Sequence, residues 1–216
     1  MAESRLAGCA KPHIAFAAIT LVFGTALVLL VPPFQSQDEI PHFLRAYQIA
    51  EGGFISRNKG PDGLDGDYLP ASLAKISVPF TKMFFEPQIK ASTSQIRQAL
   101  TVPLEPRNRI FFTFANTAHY CPACYLAPCI GIALGRIFEL PPLVMLYLGR
   151  ETNLLGWTFL GYLALRCGPA IARPMLLLLL MPMSLYLAAS VSADPITIGL
   201  ASLFTALVSR YFQGTR

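Results

Sequence analysis

Charge is what this chain has least of. Only 13% of its 216 residues are charged and 54% are hydrophobic, where a soluble domain carries roughly a quarter charged residues. That deficit excludes an ordinary water-soluble domain and points to lipid. The net charge of +5 is scattered, with no basic run interleaved with aromatics, which excludes a nucleic-acid surface. Nor is there an internal repeat or a low-complexity tract. Cys9, Cys121, Cys124, Cys129 and Cys167 fall mostly in or beside apolar segments, unlike the even framework of a secreted disulfide scaffold. They leave the redox compartment open. Leu6-Ala7-Gly8-Cys9 spells a lipoprotein acylation box, but the apolar stretch follows it instead of preceding it, which excludes that processing.

Long apolar runs are what the chain does have. Ile14 to Val31 carries no charge and follows Arg5 and Lys11, as in an uncleaved anchor of about 20 residues with a cytoplasmic basic flank. It ends in Val31-Pro32-Pro33 with no small-x-small cleavage site. A mixed stretch from Phe34 to about Tyr120 has charges of both signs and many prolines. Four further apolar segments follow: 120–138, 143–165, 174–191 and 195–212.

The arginines choose among topologies. If all five segments crossed with the N-terminus inside, Arg166, Arg173, Arg210 and Arg216 would face outward, against the positive-inside bias. If 120–138 does not cross, all four return to the cytoplasm. Pro122 and Pro128 interrupt that segment and Arg136 lies near its end. The predicted organisation is therefore a cytoplasmic N-terminus over 1–13 and a first span over 14–32. An extracytoplasmic loop over 33–142 follows, with an amphipathic helix at 39–51 and an interfacial or re-entrant helix at 120–138. A second span over 143–165, a cytoplasmic loop over 166–173, a third span over 174–191, an outer turn over 192–194, a fourth span over 195–212 and a cytoplasmic end over 213–216 complete it. The fold class is an all-α integral membrane protein, with both termini cytoplasmic.

This organisation gathers the conspicuous polar residues at the outer side. Asp38-Glu39-Ile40-Pro41 reads as a helix start with Asp38 as N-cap, and Ile40, Phe43, Leu44 and Tyr47 form an apolar stripe that ends at Gly52-Gly53. Such a helix could lie flat on the membrane. Two carboxylates at a helix N-terminus suit a general base or a hard-cation ligand as well as simple capping. His42 could share that site. Arg150 and Asn153 share one face of the second span, and Glu151 points about 100° away. An ionisable residue inside a span faces a cavity or a partner, so Arg150 reads either as an anion ligand or as half of a structural pair. Asp194 before Pro195 reads as a helix cap. Cys121-Pro122-Ala123-Cys124 has redox-motif spacing, but no βαβ pattern follows it and no further zinc ligands lie nearby. Asp62, Asp65 and Asp67 among Gly60, Gly63 and Gly66 read as a turn, since their spacing is not that of a calcium-binding loop.

Four motifs in order carry a resemblance. They are Pro33-Phe34-Gln35-Ser36-Gln37-Asp38-Glu39-Ile40-Pro41-His42-Phe43, Tyr120-Cys121-Pro122-Ala123-Cys124-Tyr125, Arg150-Glu151-Thr152-Asn153 and Ala189-Ser190-Val191-Ser192-Ala193-Asp194. Over nearly its whole length the chain resembles the bacterial polytopic membrane proteins grouped as domain of unknown function 2142, and looks like their N-terminal half. Those proteins are similar in turn to GT-C class glycosyltransferases. The resemblance implies part of a GT-C-like helical bundle in the bacterial inner membrane, moving a sugar from a polyprenyl-phosphate donor to a cell-envelope glycan. It also implies Asp38 as general base and Glu39 as second catalytic or metal ligand, with a divalent cation such as Mg or Mn. Arg150, Asn153, His42 and Asp194 would then contact the donor phosphate or substrate. A partner chain would supply missing spans. A transporter or channel component, and an inactive truncated fragment, stay open beside that reading.

Overall fold

The computed structural model describes residues 11–86 and 88–214; the expected N-terminal residues 1–10, with Arg5 and Cys9, and the final two residues lie outside them. The first helix, α1, runs Pro12–Leu30 and starts on a proline, whose missing N–H costs nothing at a helix N-terminus. It ends where Pro32 and Pro33 can no longer extend it. The longest helix, α6, runs Pro142–Cys167, and the last, α9, runs Asp194–Gly214. Between them lie two short helices, α7 at Ala172–Leu179 and α8 at Pro182–Ala188.

Facing residues give the directions of these helices. His13 stacks edge-on against Tyr162 at 5.0 Å, and at the other end of α1 the Val28 carbonyl accepts from Arg150, so α1 and α6 are antiparallel. Gly156 lies against Ile196, Leu160 against Gly199 and Gly168 against Ala206, so α6 and α9 run parallel. Phe16, Leu154, Trp157, Met175 and Ala206 form the shared core. α1 and Asp194–Gln213 are each long and apolar enough to cross a membrane; α6 qualifies only together with the segment Pro169–Leu179, to which it is bent by 105°.

The expected third span needs correcting. Residues 174–191 do not make one helix: α7 stops at Leu179, Met181 is extended (φ −55°, ψ 139°) and α8 starts on Pro182. Pro182 has no N–H for the helical ladder and drives Met181 out of the helical region, so the segment folds as two helices of 8 and 7 residues.

Beyond the C-terminal end of α1 and the N-terminal end of α9 sits a second lobe. It holds α2 (Glu39–Ala50), α3 (Ser72–Thr81), α4 (Thr93–Leu100), α5 (Leu126–Ile137) and strands β1 (Asn58–Lys59), β2 (Asp65–Pro70) and β3 (Arg109–Thr113). The strands form an antiparallel sheet in the order β1-β2-β3, with Tyr68 opposite Phe111. The chain is mostly helical, but this sheet is an addition to the all-α expectation. The Gly60–Gly63 turn joins β1 to β2, with Gly63 at φ +76° and the Asp62 carboxylate accepting from the Leu64 N–H. Segment 120–138 forms a 3₁₀ turn at Pro122–Tyr125 and then α5. The 12 residues of α5 reach about 18 Å, short of a hydrocarbon core of about 30 Å.

Helix α2 departs most from expectation. Its apolar stripe is inside, but so is the opposite face: nine of twelve residues are buried, His42, Arg45 and Gln48 among them. It is a core helix of the lobe, because each polar residue on its outer face finds a partner. Arg45 donates to the Gln48 side chain, to the Gly53 carbonyl at 3.1 Å and to the Phe54 carbonyl at 2.8 Å, while Gln48 donates to Asp67 at 2.6 Å.

Candidate functional site

A guanidinium offers five N–H donors in a fixed plane, and inside a protein it is favoured to pair all of them. Arg150, fully buried on α6, does so. Its Nε donates to Glu39 Oε1 at 2.7 Å and its Nη2 to Glu39 Oε2 at 2.6 Å. Nη1 donates to the carbonyls of Val28 (3.1 Å) and Val31 (2.8 Å), and Nη2 also to that of Pro32 (3.0 Å). Glu39 Oε1 accepts a further bond from the Val191 N–H at 3.1 Å. One ion pair thus ties together the end of α1, the start of α2, the middle of α6 and the turn before α9.

Two expected roles are thereby corrected. Arg150 has no donor left for a phosphate, because Glu39 and three carbonyls take all five. Glu39 is no free catalytic carboxylate or cation ligand, because its oxygens accept three N–H groups away from water. Glu151 turns aside and accepts from the Thr25 hydroxyl at 3.2 Å. Asn153 serves the fold through its Nδ2, which donates to the carbonyls of Ser190 (2.8 Å) and Ser192 (3.0 Å) and holds the turn that leads into α9, while its buried Oδ1 has no hydrogen-bond partner.

The linker from α1 to α2 wraps around this guanidinium, and its curvature puts Phe34 (φ +62°) and Asp38 (φ +52°) in the left-handed region. For Phe34 that is a strained choice, held by burial against Phe43 and Phe80. Asp38 tolerates it better. The side chain of Asp38 makes no capping bond, so the expected N-cap is at the right position without the expected function. Asp38 is instead exposed in the wall of a cavity of about 640 Å³, with Gln35, Gln37, Phe85, Glu86 and Tyr186 also lining it. Gln35 fixes the rim by donating to the Phe80 carbonyl at 3.1 Å and accepting from the Tyr186 hydroxyl at 3.0 Å. Tyr186 also lines an apolar groove of about 720 Å³ between α1 and α8, walled by Phe23, Leu27, Leu30, Met183 and Leu185.

One turn further along α2, His42 is buried, with its Nδ1 2.7 Å from the Tyr125 hydroxyl and Tyr120 packed edge-on at 5.7 Å. Burial pulls its pKa below the ordinary imidazole value, more strongly than the nearby carboxylates of Asp194, Asp38 and Glu39 pull it up. Burial likewise pushes the Tyr125 phenol upward, so the phenol keeps its proton beside a neutral imidazole. Asp38, Glu39 and Asp194 are thus within electrostatic range of one histidine, although only Asp38 and Glu39 line the cavity. Asp194 is exposed in the first turn of α9, where Ser192 Oγ accepts from its N–H; the capping oxygen is the serine's.

A resident divalent cation does not fit these residues. Glu39 is committed to Arg150, and no group of three or more His, Cys, Asp or Glu side chains converges among the described residues. Tyr186 had no periodic or spacing signal in the sequence, and Gln35 and Tyr125 stood there only as members of motifs; the tyrosines flanking the Cys-x-x-Cys were the clue to His42.

No curated protein and no solved structure matches the chain. The family described as "Predicted membrane protein (DUF2142)" matches residues 21–216, which include the buried ion pair, the Asp38 cavity, α6, α9 and the second half of α1. The chain belongs to that family of membrane proteins.

Proposed function

We propose that this chain is a GT-C-like glycosyltransferase, or part of one, working on a lipid-linked substrate at the outer face of the bacterial inner membrane, with Asp38 as general base. The observation that carries the reading is that Tyr186 lines two spaces: the cavity at Asp38, whose largely apolar wall also carries the polar side chains of Gln35, Gln37, Asp38 and Glu86, and the apolar groove between α1 and α8. An amphiphile such as a polyprenyl-phosphate sugar has that division, a long apolar chain and a hydroxyl-rich head. The chain lies in the groove and the sugar hydroxyls meet Gln35, Gln37, Asp38 and Glu86.

Asp38 is the carboxylate suited to take a proton from an acceptor hydroxyl. It is exposed to the cavity, it accepts no hydrogen bond that would hold it, and it sits at the positive end of α2. Among the described residues no Lys or Arg lines the cavity. Stabilising the departing phosphate therefore falls to groups outside this lining, which we assign to a partner chain or further spans. The transporter reading rested on Arg150 inside a span, and Glu39 now accounts for that residue.

Asp38→Asn is the direct test, because asparagine keeps the shape and tolerates the left-handed backbone. In a strain with a scorable surface glycan, the variant should accumulate in membranes at the normal level while the glycan falls by about 100-fold or more, the usual scale for a lost general base. Unchanged glycan with the variant present in the membrane overturns the proposal.

A further inference from the structure

The Cys121-Pro122-Ala123-Cys124 segment is unused by the reading above. Its structure supplies what the spacing alone lacked. Both cysteines are free thiols, Cys121 exposed and Cys124 half-buried, and the residues from Pro122 to Tyr125 form a 3₁₀ turn in which the Cys124 N–H donates to the Cys121 carbonyl at 3.1 Å. Cys121 stands just before the helix with an extended backbone (ψ 125°), and the hydrogen bond from Cys124 closes a four-residue turn that holds the two Cα atoms within about 7 Å, the upper end of the range a disulfide spans. Neither of the other described cysteines competes: Cys129 is buried with its Sγ 3.2 Å from the Ala46 carbonyl, and Cys167 ends α6 at the far side of the bundle.

What the turn carries gives the pair a consequence. The two residues flanking it, Tyr120 and Tyr125, are the two that hold His42, one by its ring and one by its hydroxyl. The Tyr120 carbonyl also accepts from Arg45, and Thr197 Oγ1 on α9 lies 3.5 Å from Cys124 Sγ.

We propose that Cys121 and Cys124 form a redox-active dithiol that accepts a disulfide from a thiol–disulfide oxidant, and that its closure stiffens the turn holding His42. The exposed Cys121 thiolate attacks one sulfur of the oxidant's disulfide, forming a mixed disulfide and releasing the first oxidant thiol. Cys124 then attacks Cys121 Sγ and expels the second. The pair loses two electrons and two protons, and the oxidant's disulfide becomes two thiols.

The test uses the full chain in lipid nanodiscs with oxidised glutathione as the oxidant. After acid quench, alkylation and digestion, the peptide holding both cysteines should be two hydrogens lighter and unalkylated, while Cys124→Ser should trap glutathione on Cys121. In the same oxidised sample, carbethoxylation of His42 should slow at least threefold relative to the reduced sample, and Cys121→Ser should abolish that difference. Both thiols remaining alkylatable after oxidant, or a disulfide to Cys129 or Cys167, overturns the dithiol. Equal His42 modification rates in the two states overturn the coupling.

Discussion

Arg150 and Glu39 are 111 positions apart and meet with both side chains at 0% exposure. Arg150 stood out in the sequence as a charge inside an apolar run, but spacing carries no information on a partner so distant, and its role stayed divided between anion ligand and structural pair. The structure decides for the pair on stoichiometry, five donors and five bonds. Glu39 was misjudged for the opposite reason: at a helix N-terminus it has an adequate local account, and its true partner is tertiary. Removing either member strands the other as an unpaired buried charge, at a cost of about 3–5 kcal/mol. Arg150→Met and Glu39→Gln should therefore each sharply lower the unfolding midpoint of the purified protein in detergent. The double variant Arg150→Met with Glu39→Leu should recover part of the loss, since neither charge is then left behind. Additive losses in the double variant would show that the two residues act separately.

Whole elements were legible in proportion to how local their causes are. The runs that became α1, α6 and α9 are apolar over many residues and punctuated by proline, and their helices start within two residues of the expected positions. α2 begins where its acidic start signal lies, yet its buried second face was invisible because burial there depends on Asp67, the Gly53 and Phe54 carbonyls and Tyr125. The sheet was missed because β2, Asp-Gly-Asp-Tyr-Leu-Pro, has the composition of a loop and is held by pairing with β3. Pro182 was a visible breaker, outvoted by the leucines before it. Close helix approach was legible only afterwards, as glycine. A Cβ on Gly131 of α5 would sit 2.3 Å from the Leu148 carbonyl oxygen of α6, a contact with backbone that no rotamer relieves. Gly131→Ala should then destabilise by about 1–3 kcal/mol, the scale of overpacking. Gly149→Ala, on α6 itself, should be much milder, because the nearest atom to its Cβ is the Val191 methyl at 3.2 Å. Equal stability of the two variants in thermal unfolding would remove the close α5–α6 contact from the fold's support.

Across the whole molecule, the helix directions carry a topology that the family alone does not settle. With α1 and α6 antiparallel and α6 and α9 parallel, the N-terminal end of α1 and the C-terminal end of α9 share one end of the bundle, and the chain between α6 and α9 must return through α7 and α8. Lys11, Arg166, Arg173 and Arg210 collect toward that shared end, whereas Asp38, His42 and Asp194 lie at the other. On the topology we propose, the positive-inside bias places the basic end in the cytoplasm and the lobe with the Asp38 cavity outside. On that proposed topology the return through α7 and α8 is a broken crossing, its interruption at Leu180–Met181 lying beside the apolar groove that Leu180 and Pro182 help to wall. A backbone opened there needs protein or substrate to cover its freed groups, so the broken helix and the groove belong to one arrangement. Fusing a reporter active only after export behind Arg136, Gly168 or Ala193 tests this. It should be active behind Arg136 and Ala193 and silent behind Gly168. Silence behind Arg136 would mean either that α5 belongs to a crossing or that the lobe with the cavity faces the cytoplasm, and either outcome overturns this topology. Silence behind Ala193 with activity behind Arg136 would mean that α7 and α8 do not return across the membrane, and the groove would lose the bilayer that makes it a path for a lipid chain.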